Sequence, residues 1–167
     1  INGYDAGVYT GDYSSLFFRR APSFMDVVCY TGTGSDISIA HNLTVAPELI
    51  FIKKRNGSGD WDAEFNFTST QHSYSKLNGT LAASTFNYSS GVNLYAKPTA
   101  TNIFVAGGAY STVSSTYFAY LFASCAGVSK VGTYSGTGAT QTISCGFAAR
   151  FVMIKRTDST GDWWVWD

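Results

Sequence analysis

Residues Tyr30–Trp61 read YTGTGSDISIAHNLTVAPELIFIKKRNGSGDW, and residues Tyr134–Trp163 read YSGTGATQTISCGFAARFVMIKRTDSTGDW. Each opens on Tyr, a hydroxylated residue and Gly-Thr-Gly. Each continues through a short alternating run and an apolar run ending Ile-Lys-(Lys/Arg). Each closes through a polar turn on Gly-Asp-Trp. Agreement over some thirty residues marks an internal repeat. The two Tyr lie 104 positions apart and the two Trp 102, so two residues are lost between them. The register extends upstream, setting Leu16-Phe17-Phe18 beside Tyr120-Leu121-Phe122, Phe24 beside Val128 and Val27 beside Val131.

This register divides the chain into 1–23, the end of a preceding segment; 24–126, a complete unit; and 127–167, the first part of a second unit. A period of about 100 residues is that of a domain, not of a solenoid repeat. Half a unit leaves a strand edge to be covered, because exposed edges recruit other strands. The expectation is a longer parent chain that supplies the rest. The alternative is that 128–167 completes a sheet with the first unit or with a neighbouring subunit.

The local patterns are those of strands. Glu48–Lys54 (ELIFIKK) is β-branched and aromatic with charge at both ends. Asn56-Gly57-Ser58-Gly59-Asp60 is a hairpin turn, and Trp61, Ala63 and Phe65 alternate along a return strand. Further strands are expected at Met25–Tyr30, Asp36–Ala40, Leu81–Phe86, Val92–Ala96 and Asn102–Ala106. Thr116–Cys125 (TYFAYLFASC) is apolar on both alternating faces and reads as a central strand, with a helix as the alternative. The fold expected is all-β: an antiparallel β-sandwich-like domain with a partial second repeat of the same unit. The recurring residues are its framework. They are Tyr30, Gly32, Gly34, Ile52, Lys53, Gly59, Asp60 and Trp61, with Tyr134, Gly136, Gly138, Ile154, Lys155, Gly161, Asp162 and Trp163.

Composition agrees. The 167 residues are 45% hydrophobic, 16% aromatic and only 13% charged, with 11 acids and 11 bases. Many Tyr, Phe, Thr and Gly with few Leu and Glu is strand composition. No clustered Lys and Arg offer electrostatic capture of nucleic acid or an anionic membrane. No apolar run approaches the eighteen or so residues that cross a bilayer as a helix. Cys29, Cys125 and Cys145 are odd in number and lack CxxC spacing, so neither a disulfide framework nor a zinc site is indicated. They read as small buried hydrophobes.

Catalytic chemistry finds little foothold. His41 and His72 both lie in polar, loop-like stretches, and there is no G-x-S-x-G elbow for a nucleophilic Ser. The second copy loses His41, with Ile143-Ser144-Cys145 in that region. A repeat that keeps its turns and its Trp but not its His does not repeat an active site. The TGTG turns lack the Lys-Ser/Thr and following helix of a phosphate loop. Asp60, Asp62, Asp158 and Asp162 are not spaced as a calcium loop. No catalytic residue, metal ligand or cofactor is assigned. Lys53-Lys54 and Lys155-Arg156 recur, for an ion pair to Asp60 or Asp162 across the hairpin, or for a repeated anion or sugar contact. Trp164 and Trp166 lie on one side of the last strand and are the candidates for a glycan or subunit contact.

The stretches FFRRAPSFMDVVCYTGTG, IAHNLTVAPELIFIKKR, GDW, KLNGT, YFAYLFA, GTYSGTG and IKRTDSTGDWWVWD resemble a β-rich repeat domain of bacteriophage virion proteins. The likeness is to tail-fibre and tail-associated proteins of marine and cyanobacterial phages, and it covers about Phe17 to Asp167. Its most specific parts are the APELI–IKKR segment and the GDWWVWD ending. The truncated second unit and the loss of His-Asn there depart from it. The resemblance carries no functional residue across. It implies a non-enzymatic structural protein of the virion, part of a tail fibre or tail-tip appendage used in host attachment and assembled in the host cytoplasm. Its partners would be copies of itself, expected as a trimer, other virion tail proteins and a host surface glycan. Nucleic acid and membrane insertion are not expected. The other readings are a glycan-binding, receptor-recognising module, a capsid-surface fibre or decoration protein, and a glycan-cleaving depolymerase.

Overall fold

The structure, a computed structural model, describes residues 18–88 and 96–167. Ten strands and a single helical turn are found there: β1 (Met25–Thr31), β2 (Ile37–Ala40), β3 (Leu49–Lys54), β4 (Asp62–Phe65), β5 (Gln71–Lys76), β6 (Ser84–Asn87), β7 (Asn102–Val105), α1 (Gly107–Tyr110), β8 (Thr116–Phe122), β9 (Val152–Lys155) and β10 (Trp163–Trp166). Six strands form one sheet in the order β1-β8-β3-β4-β5-β6, while β2 pairs with β7 and β9 with β10. Every pairing is antiparallel. The fold is all-β and sandwich-like.

Strand β8 is the hub, hydrogen-bonded to β1 on one side and β3 on the other. Side chains alternate across a strand, so its two apolar faces separate. Tyr117, Ala119 and Leu121 are buried, while Phe118, Tyr120 and Phe122 are half-buried. The buried side meets Ile50 and Ile52 of β3 and is covered by the β2–β7 ribbon. Ile103, Val105 and Leu43 complete this inner core, with Ile37 and Ile39 packed against it. Fully burying one such aliphatic side chain is worth about 1.5–3 kcal/mol, so this layer dominates the stability of the unit. The outer side is aromatic. Phe51 packs edge-on to Phe122, and Trp61 lies across Phe118 and Tyr120.

The first TGTG is the turn between β1 and β2, and residues 111–115 clasp it. Gly32 N–H donates to the Ser115 carbonyl at 2.8 Å and Gly34 N–H to the Ser111 carbonyl at 2.6 Å. A Cβ at Gly32 would collide with the backbone of Thr112, and Gly34 has φ +88°. Both positions therefore require glycine.

Several expectations need correction. His72 is not in a loop: it sits in β5, a strand without apolar alternation to mark it. The apolar run at 116–125 is a strand only as far as Phe122, and α1 adds a helical turn after β7. The strand expected near Leu81–Phe86 runs Ser84–Asn87. The strand expected at Val92–Ala96 falls largely outside the described residues. The cysteines are not buried: Cys29 is exposed, and Cys125 and Cys145 are partly so.

The second copy folds only where pairing is local. In the complete unit β1 pairs with β8 and β2 with β7, and those partners come late in the sequence. Among β1 to β4, only β3 and β4 pair with each other, across the short connection at 55–61. None of the described residues supplies a second β7 or β8. The stretches matching β1 and β2, residues 129–135 and 141–144, accordingly form no strand, while the match to β3–β4 forms the β9–β10 hairpin.

Candidate functional site

The β9–β10 hairpin reproduces β3–β4 residue for residue. Ile52 pairs with Asp62, Phe51 with Ala63 and Ile50 with Glu64. At 102 positions further, Ile154 pairs with Trp164, Met153 with Val165 and Val152 with Trp166. The recurring lysine also repeats its contact. Lys53 Nζ donates to the Gly59 carbonyl, and Lys155 Nζ to the Gly161 carbonyl at 2.7 Å. This replaces the ion pair expected with Asp60 or Asp162: the ammonium ties down the hairpin turn through a backbone oxygen. Asp60 accepts instead from Asn78 Nδ2 at 3.0 Å and lies 3.8 Å from Lys76 Nζ. Asp162 is exposed.

Register equivalence makes each residue's side explicit. Ile50, Ile52, Asp62 and Glu64 face the inner core. Their counterparts Val152, Ile154, Trp164 and Trp166 therefore share the inner side of the second hairpin. That side has no cover among the described residues: Trp164 is 60% and Trp166 53% exposed, and their rings stack at 6.0 Å and 17°. The opposite side of the hairpin turns to the first unit. Trp163 meets Phe51 edge-on, with centroids 6.4 Å apart, and its Nε1–H donates to the Lys76 carbonyl at 3.0 Å. Gly161 N–H donates to the Thr80 carbonyl and Ala83 N–H to the Thr157 carbonyl. Lys155 reaches the same Thr80 oxygen at 3.2 Å. Phe151 meets Phe18 edge-on, and Phe18 meets Phe122.

The other framework positions divide by copy. Tyr30 stacks on Tyr117 at 5.1 Å and 9°, and burial pushes its hydroxyl far above the usual tyrosine range. Its counterpart Tyr134 is 49% exposed. Gly136 has open space where Gly32 is clasped, although Gly138 keeps the positive φ of Gly34, at +77°.

Hydrophobic periodicity does not reveal the polar cluster on β4 and β5. Glu64 and His72 are each 2% exposed, with Glu64 Oε1 3.9 Å from His72 Nε2. The rings of Phe67, Phe86 and Tyr88 enclose His72, and burial lowers its pKa to about 4. A neutral imidazole sealed in this way meets no solute unless the strands open. Asp62 bonds Lys76, its cross-strand partner. Asp60 and Asp62 share that one ammonium and line a cleft of about 140 Å³ beside Lys54, Ser58 and Tyr110. Lys76 offsets one of the two carboxylate charges and ties both acids to β5, a structural arrangement. The signal that could have revealed this cluster is the unusual run Asp62-Ala63-Glu64, acids on the core side of a return strand.

His41 is likewise tied into the framework: Nε2 bonds the Thr99 carbonyl at 3.2 Å, and Nδ1 accepts from Leu43 N–H at 3.2 Å. No group of three or more His, Cys, Asp or Glu placed to hold a metal occurs among the described residues. No helix among them is long and apolar enough to cross a membrane.

The family model described as a domain of unknown function, DUF7483, matches residues 6–167. Neither a curated protein nor a solved structure matches the chain.

Proposed function

The chain belongs to the DUF7483 family, and from that premise we propose that it is a non-enzymatic structural module of a bacteriophage virion. It would form part of a tail fibre or tail-tip appendage used in host attachment. The observation that supports this best is the docking of β9–β10 on the preceding unit through Trp163, Phe51 and Lys76. A repeat that seats its successor through packed rings and backbone hydrogen bonds makes a stiff joint, and stiff joints in series suit a fibre under load. The low charge and abundance of Tyr, Phe and Trp agree with association between copies, since aromatics favour and charges avoid the centre of an interface. The proposed partners are copies of the chain arranged as a trimer and other tail proteins, with assembly in the host cytoplasm.

The test is an adsorption assay with particles from cultures that produce the chain. Purified chain, or antibody against it, should slow attachment to host cells severalfold. Unchanged adsorption would count against the attachment role.

A second reading, a glycan-binding module, is favoured by one observation: Trp164 and Trp166 present a stacked pair of exposed rings, and such faces stack on sugars. Under that reading Trp164→Ala abolishes binding to host polysaccharide while the fold survives. Undiminished binding would remove it.

A further inference from the structure

The turn at the start of each unit is built twice. At the 104-residue offset of the repeat, Ala21 matches Cys125, Met25 matches Ser129 and His41 matches Cys145. In the complete unit Ala21 N–H donates to the Met25 carbonyl at 3.0 Å, and the Ala21 carbonyl accepts from Phe24 and Met25 N–H. In the second copy Cys125 N–H donates to the Ser129 carbonyl at 3.0 Å, and the Cys125 carbonyl accepts from Val128 and Ser129 N–H. The left-handed residue of the turn also recurs, as Ser23 at φ 61° and Gly127 at φ 73°. The complete unit then lays residues 41–43 on this turn. Ser23 N–H donates to the Leu43 carbonyl at 2.6 Å, and Asn42 N–H to the Asp26 carboxylate at 2.7 Å. The second copy brings the matching segments together as well. Residues from 124–130 and from 144–146 line one cleft of about 410 Å³, with Cys125 and Cys145 both on its wall.

We propose that Cys125 and Cys145 are a disulfide-forming pair, a redox modification site that fastens residues 144–146 to the turn at 125–129. Both are free thiols and partly exposed. The chemistry is thiol–disulfide exchange with a small disulfide such as glutathione disulfide. One cysteine attacks as its thiolate and releases one glutathione, and the other then displaces the second and closes the S–S bond. Two protein thiols are thereby oxidised, and one glutathione disulfide is reduced to two thiols. The bond requires Cα atoms about 4.4–6.8 Å apart, a separation within reach of segments packed as 21–26 and 41–43 are packed in the complete unit. Cys29 stands apart from the pair, in β1 opposite Phe118. In the complete unit the segment is held by His41, bonded to the Thr99 carbonyl and to Leu43 N–H. The second copy carries sulfur at that position, and a disulfide there does the work of the imidazole. The inference rests on the turn, the cleft and the register of the repeat, and not on the virion assignment.

The experiment equilibrates the full chain with mixtures of glutathione and glutathione disulfide, alkylates the remaining thiols and maps tryptic fragments by mass spectrometry. Cleavage after Lys130 separates the two cysteines, so a bond between them joins two fragments. The expected result is one link within each chain, from Cys125 to Cys145, with Cys29 alkylated or carrying glutathione. In urea the same pairing should be at least about tenfold less favourable, because the fold and not the intervening chain supplies the proximity. Cys125→Ser should leave Cys145 as a mixed disulfide with glutathione, and Cys29→Ser should leave the pairing unchanged. Cysteines 125 and 145 that remain thiols, or that end only as glutathione adducts, would overturn the proposal. A link through Cys29, a link between two chains, or equal pairing in urea would overturn it too.

Discussion

The indole nitrogen of Trp163 donates to the carbonyl oxygen of Lys76, 3.0 Å away, and so ties the last hairpin to β5 of the complete unit. Its first-copy counterpart, Trp61, lies instead on Phe118 and Tyr120 within its own sheet. One recurring residue thus braces a unit in the first copy and joins copies in the second. Trp163→Phe keeps most of the ring contact with Phe51 and loses the hydrogen bond, at a cost of about 1 kcal/mol. Trp163→Ala loses both. Amide exchange in β9 and β10 should accelerate strongly in the alanine variant and modestly in the phenylalanine variant, with β1, β3 and β8 unchanged. Equal acceleration throughout would mean that the hairpin and the unit unfold together.

The two copies of Gly-Thr-Gly give a matched pair of substitutions. A Cβ at Gly32 meets the Thr112 backbone, while Gly136 has nothing within 4 Å. Gly32→Ala should therefore destabilise by roughly 2 kcal/mol or more, and Gly136→Ala should be nearly silent. Thermal unfolding monitored by near-ultraviolet circular dichroism distinguishes them.

Asp26 is buried on β1 and accepts hydrogen bonds from Asn42 N–H at 2.7 Å and Val27 N–H at 2.9 Å, and from Arg20. Burial alone would raise its pKa, but these donors outweigh it and hold the carboxyl below the usual range. Asp26→Ala leaves two backbone donors without their acceptor and should cost about 2–3 kcal/mol. For a domain of this size that is a fall of roughly 5–10 °C in Tm.

Stability should also fall in mild acid because of His72. Its pKa drops from 6.5 to about 4 on folding, so between those values the unfolded chain binds the extra proton. Stability therefore decreases as pH falls from 6.5 towards 4, by about 3 kcal/mol at pH 4 from this group. His72→Gln removes that slope whatever its effect on baseline stability. Urea unfolding at pH 7, 5.5 and 4.5, compared between the two proteins, checks the sign.

Much of the architecture was legible because apolar and polar residues alternate where strands are half-buried. Leu49–Lys54 with its return strand, and the doubly apolar run at Thr116–Phe122, carried that signal plainly. β5 did not. Gln71-His72-Ser73-Tyr74-Ser75-Lys76 has no apolar alternation, and it is a strand laddered between β4 and β6, with Lys76 paired to Asp62 and His72 near Glu64. Those cross-strand partners sit on the adjacent strand β4, 14 and 8 residues away, and side-chain pairing of that kind is invisible to periodicity. The repeat made the outward position of Trp164 and Trp166 foreseeable only as one of two sides of a strand. Deciding which side required the register of the complete copy. The loss of strands at 129–135 and 141–144 was hidden for the same reason, since their partners in the complete unit lie more than sixty residues away in sequence.

We propose that this chain is a stacking module of a phage tail appendage, and immunogold electron microscopy of particles from cultures that produce it tests this assignment. Label clustered on tail fibres or the tail tip is the result expected. Particles that carry no label on the tail, whether bare or labelled over the capsid alone, would contradict it.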